Sequence, residues 1–255
     1  MPGIYMTRGS SLKIPSFSID LDNIENTSIT AEIGLDVYPL WLRSAITQAR
    51  QAQAAASELD CIWDGTGDDA QSDLLEQEIC ASMSALVSSA AALDAFYGSI
   101  IDRCPSNFPG VKRRPRARER IILSTFQQRF ALNDKMIREL KQPLKDIFRF
   151  RHTALHAHGR PEPAVEHPRL NVGMSQKHVV FRAENAASAT AFAITVISYL
   201  STRPHERYPA LCEHCRFARE WLTPLVTDWE MDHSSLGLTL PLTMRERSPK
   251  IRGDG

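Results

Sequence analysis

The stretch Arg151-His152-Thr153-Ala154-Leu155-His156 places one guanidinium and two imidazoles within six residues. A guanidinium holds a phosphate through a planar fork of donors, and an imidazole moves a proton near pH 7. Together they form a minimal set for cleaving RNA without a metal: a base for the ribose 2′-hydroxyl and a cation for the charge developing on the phosphate. On an ideal helix His152 and His156 are four residues apart and share a face. Arg151 and His156 are five apart, about 140° around the axis. A site then needs the long arginine to wrap round, the helix to distort near Gly159, or a second subunit to complete it. The competing reading is structural, because Arg and His near a helix C-terminus satisfy its dipole and its open carbonyls.

Other residues could join this chemistry. Asp94 lies on an apolar stripe between Ala90 and Tyr97, and a carboxylate facing a core needs a partner. That partner is either His156 or Arg151, making Asp94 a supporting group of the site, or another arginine of the fold. Lys112, Arg113, Arg114, Arg116 and Arg118 form a dense basic run. They fit RNA phosphate contacts with salt-dependent affinity, or equally a solvated helix start facing an acidic N-terminal third. No aromatic residues are interleaved, so base stacking is not signalled. Cys212-Glu213-His214-Cys215 is half of a zinc-site spacing, but no second cysteine pair exists, so two ordinary thiols and no bound metal are expected. The chain has no Walker loop, dinucleotide-binding glycine fingerprint or Gly-x-Ser-x-Gly elbow, and no cofactor is expected.

The elements that must position these groups read as mainly α-helical. Leu75, Ile79, Met83, Leu86, Ala90, Leu93, Tyr97 and Ile100 recur at three- and four-residue steps and predict a long helix over 72–104. A helix of that length finds neighbours along its whole course only in a bundle. Further helices are predicted over 39–59, 117–132, 133–142, 143–155, 186–200 and 206–230, with breaks at Pro143, Pro209 and Pro224. Residues 11–37 alternate partly and predict one or two short strands, a hairpin if paired. Residues 60–73 and 161–176 read as loops, and 177–182 (KHVVFR) as a short strand. The organisation expected is a strand-containing extension over 1–38, a helical domain over 39–230 and a polar tail over 231–255.

Net charge is zero across 255 residues, yet residues 1–80 carry 4 Lys/Arg against 13 Asp/Glu, and 111–160 carry 14 against 4. Such separation fits a polyanion-binding face, self-association, or neutralisation within one fold. Five scattered cysteines do not suggest a disulfide framework. No run approaches the roughly 20 apolar residues of a membrane span, and the start has no apolar leader, so a cytoplasmic protein away from the membrane is expected.

Arg151-His152-x-x-x-His156, with Ala91-Ala92-Leu93-Asp94-Ala95-Phe96-Tyr97 upstream and Ala157-His158-Gly159 and His167-Pro168 downstream, resembles the HEPN domain family over residues 72–200. The resemblance implies an up-and-down helical bundle that dimerises and cleaves RNA without a metal at a site shared across the homodimer. It implies His156 as general acid or base at the 2′-hydroxyl and Arg151 stabilising the phosphate. His152 would orient the phosphate or the other imidazole, and Asp94 would be a candidate member of the site. A toxin or defence role, with an antitoxin or other regulatory protein as partner, rests on the resemblance alone. The alternative is a catalytically inactive module of the same type that binds RNA, a nucleotide or a protein.

Overall fold

The structure, a computed structural model, describes residues 10–18, 28–64, 68–104, 117–156 and 163–234. It is mainly helical with a small N-terminal hairpin. Strands β1 (Ser10–Ser18) and β2 (Ser28–Leu35) pair antiparallel, with an irregularity between Lys13 and Ser16. Pro15 sits in that gap and has no N–H to give the ladder. Leu12 is opposite Ile33 and Leu35 is two residues on, so all three stand on one face, and all three are exposed.

Helix α1 (Tyr38–Ile62) starts with Pro39 in its first turn and buries Leu42, Ala45, Ile46, Ala49, Ala52, Ala56 and Leu59. Helix α2 (Asp69–Arg103) starts three residues before the sequence reading placed it. Asp68 caps it, its carboxylate accepting the Gln71 N–H at 2.8 Å. The loop between these helices is correspondingly shorter than predicted. Alanines and serines line much of the seam between α1 and α2. Small side chains let the axes close up, and Ser44 and Ser88 meet across it, Oγ to Oγ, at 3.1 Å.

Helix α3 (Arg118–Arg129) precedes α4 (Asp134–Leu155), which Asn133 caps through Met136 N–H. The sequence pattern suggested a new or kinked helix at Pro143, but α4 runs through it as one element. Leu140, Leu144, Ile147 and Phe148 form one buried line across the proline, and their packing offsets the lost backbone bond. Residues 163–174 contain a two-residue-a-side hairpin, β3 (Val165–Glu166) with β4 (Gly173–Met174), where a loop was expected. The predicted strand over 177–182 is instead helix α5 (Gln176–Val180), begun by Ser175, whose Oγ accepts the Lys177 N–H. Its valines favour a strand only where a sheet edge is available. Helices α6 (Ala183–Ser201) and α7 (Pro209–Ser234) follow, and α7 is continuous through Pro224 rather than broken there.

The core centres on Phe96 of α2. Its ring lies 5.2 Å from Tyr38, 6.1 Å from Phe126 and 6.2 Å from Phe130, joining α1, α2 and the end of α3. By length and mean hydropathy (1.5 over 18 residues) α2 could cross a membrane, which the sequence reading had not credited to any segment. Here it packs chiefly against α1 and α6, and it buries Glu78 as well as apolar residues.

A buried polar network closes one end of the bundle. Asp36, between β2 and α1, accepts from Ser99 Oγ and from both terminal nitrogens of Arg103 at 3.2 and 2.7 Å. His214 of α7 is 3% exposed, with Nδ1 3.7 Å from Asp36. Burial, helped by the Arg103 guanidinium, pushes its pKa down to about 4 despite the carboxylate. The imidazole is therefore neutral in the folded chain at pH 5, while an unfolded chain protonates it near pH 6.5. Stability is expected to fall as pH drops from about 6.5 to about 4, because the unfolded state binds the extra proton. In His214→Phe, thermal denaturation across this window should show a slope shallower by up to about 1.4 kcal/mol per pH unit. A slope unchanged from wild type would mean that His214 is protonated in the fold.

Candidate functional site

The Arg-His stretch forms the last turn of α4. Leu155 is the final helical residue, and the His156 N–H still bonds to the His152 carbonyl at 2.9 Å. That bond keeps residues 152 and 156 one turn apart on one face. Their rings stand 4.7 Å apart between centroids at an interplanar angle of 46°. Both residues are exposed, and among the described residues neither ring has a hydrogen-bond partner. The open carbonyls of this last turn favour positive charge beside them.

Arg151 is placed differently. It continues the inward line of Leu144, Ile147 and Phe148 and is half-buried. Among the described residues it makes no ion pair. The structure thus brings the two imidazoles together and leaves Arg151 on the opposite flank of the same turn, as the helical phase requires. One protomer does not place the guanidinium and the His156 ring on a common face.

Asp94 meets Arg118. Its Oδ1 lies 2.6 Å from Arg118 Nη2 and accepts from Nε at 2.6 Å, while the guanidinium stacks over Tyr97 at 4.4 Å. Of the two partners open to Asp94, the structure shows another arginine of the fold, at the first turn of α3. Arg118 is in turn committed to this carboxylate, half of its side chain remaining exposed. Lys112, Arg113, Arg114 and Arg116 lie outside the described residues.

Beside the Arg-His turn is a groove of about 470 Å³ that the sequence reading missed. Ser44 and Gln48 of α1, Met83, Ser84, Val87 and Ser88 of α2, and Ala154 and Leu155 of α4 line it. Its signal in the sequence is Ser84 and Ser88, four residues apart on α2, with Leu155 left 55% exposed at the rim. Three hydroxyls and an amide interspersed with apolar side chains suit a ligand with polar and apolar parts.

The Cys212 and Cys215 pair lies elsewhere, on α7. Both are free thiols: Cys212 Sγ donates to the His205 carbonyl at 3.7 Å, and Cys215 is fully buried. Burial pushes the Cys215 thiol up to about 12, which is the wrong direction for a reactive or metal-binding thiolate. Among the described residues no three His, Cys, Asp or Glu side chains are gathered as a metal would require.

No family model, curated protein or solved structure matches this chain.

Proposed function

We propose that the protein is a metal-independent endoribonuclease of the HEPN type, acting as a homodimer on RNA in the cytoplasm. The observation that carries this reading is the pair of exposed imidazoles, 4.7 Å apart, at the end of α4. In this reading His156 takes the proton from a ribose 2′-hydroxyl and the freed oxygen attacks the adjacent phosphorus. His152 orients the phosphate beside it. The bond to the 5′-oxygen breaks, that oxygen takes up a proton, and the products are a 2′,3′-cyclic phosphate and a 5′-hydroxyl. Arg151 stabilises the negative charge that builds on the phosphate. Because Arg151 and His156 diverge around one helix, the guanidinium at each site comes from the second protomer, and two-fold symmetry generates two such sites. The polar groove beside the turn accommodates the nucleotide. A toxin or defence role, held in check by a protein partner, is the biological setting that the family resemblance suggests.

The test is direct. Mixed RNA incubated with purified dimer in EDTA, at about pH 6 to 8, is expected to be cleaved with 2′,3′-cyclic phosphate ends. RNA that stays intact but bound would favour the inactive binding module instead.

A further inference from the structure

The solvent face of α4 carries more than the two imidazoles. Arg138, Lys141, Lys145, Arg149, His152 and His156 follow one another at steps of three or four residues, and all six are exposed. By the 3.6-residue repeat they fall within a sector of about 80°, centred about 110° round the helix from the buried line of Leu140, Leu144, Ile147 and Phe148. The row spans about 27 Å. From Arg138 onward no acidic residue of α4 falls in this sector. Glu139 and Asp146 project from its side, where they pair with Lys135 at 3.9 Å and Arg149 at 3.1 Å. Asp134, at the helix start, is the one acid of α4 on the line. Among the described residues Arg138, Lys141 and Lys145 have no ion-pair partner.

Unpaired cations held on one side of a rigid rod repel one another, and a polyanion lying along them relieves that repulsion. We infer that this row is the track of a single RNA strand, whose phosphate backbone runs along α4 and is delivered to the imidazoles at its end. The track is one residue wide, which matches one backbone rather than the two of a duplex. Phe150 lies off the row and its ring is occupied by Arg149 at 5.1 Å, so the row offers no platform for bases. Contact is therefore with phosphates and is indifferent to sequence. The inference deepens the ribonuclease reading and rests on it for the identity of the polyanion, but binding and cleavage are separately measurable.

The experiment uses the full chain carrying His156→Ala, so that RNA survives, with a fluorescent single-stranded RNA titrated at several salt concentrations. Three unpaired cations on phosphates give a log–log salt slope near −2 at about −0.7 per contact. Lys141→Gln with Lys145→Gln should flatten that slope by about 1.4 while leaving the helical spectrum unchanged. A double variant that keeps the parent slope would overturn the track and transfer binding to the run at 112–118. A duplex that competes as well as the single strand would also overturn it. Salt-sensitive binding that the double variant weakens, in a wild-type protein that leaves RNA intact, would uphold the track and sink the ribonuclease reading alone.

Discussion

His156→Ala is expected to lower RNA cleavage by about 10²- to 10⁴-fold, and Arg151→Ala by a comparable factor. The exposed imidazole contributes almost nothing to packing, so the melting temperature of the histidine variant should stay near that of wild type. Arg151→Lys should not restore activity, because an ammonium lacks the planar fork. The decisive form of the experiment mixes the two inactive variants. If each site joins Arg151 of one protomer to His156 of the other, half of randomly formed dimers are mixed and each mixed dimer regains one intact site. Activity should then return to about a quarter of wild type. Initial rates on one RNA substrate, before and after subunit exchange, check this. Cleavage that stays at background after exchange would place both groups in one protomer or remove Arg151 from the chemistry.

Arg169→Ala is expected to cost about 3–5 kcal/mol of stability. Arg169 lies in the turn between β3 and β4 and ties three helices together: Asp60 of α1 at 2.9 Å, Glu78 of α2 at 2.5 Å and Glu184 of α6 at 3.9 Å. Glu78 is 1% exposed and its other oxygen accepts the Ala183 N–H at 2.9 Å. That N–H is one of the open donors at the start of α6, where Arg182 provides no side-chain cap, so the carboxylate of α2 caps α6 from outside. Without Arg169 a buried carboxylate keeps its desolvation cost and loses its cation. Chemical denaturation of wild type and variant measures the loss. Glu78→Gln combined with Arg169→Met should be less destabilised than Arg169→Ala alone, because the amide still accepts from Ala183 and no charge stays buried. A loss below about 1 kcal/mol for Arg169→Ala would show this pair behaving as a surface ion pair.

Both expectations depend on features that differ in how readily the sequence discloses them. The helical course was legible because each helix carries its own periodicity and stop signals. Pro39 opens α1 and Asn133 caps α4, close to where they were read. The apolar stripe of α2 was located correctly at Leu86, Leu93 and Ile100, but the fully buried set also includes Glu78, Ser82, Ser88 and Ser89. Polarity alone would place those residues outside. They are inside because Arg169, Ser44 and Thr190, all distant in sequence, complete the bonds of three of them. The KHVVFR segment misled for the same reason in reverse. Its composition favours a strand, but among the described residues no strand pairs with it, and the chain closed a helical turn.

The sequence alone determined the closeness of His152 and His156 and the divergence of Arg151 from them. Both follow from backbone bonds that repeat within a single turn of α4, so a spacing of four or five residues settles them. Only the tertiary structure decided which side of α4 faces inward, and with it that the imidazoles meet solvent while Arg151 is half-buried. It alone gave Asp94 to Arg118 and opened a groove between α1, α2 and the end of α4. Those outcomes depend on contacts between groups tens of residues apart, where burial and charge pairing choose among partners that local spacing leaves equivalent.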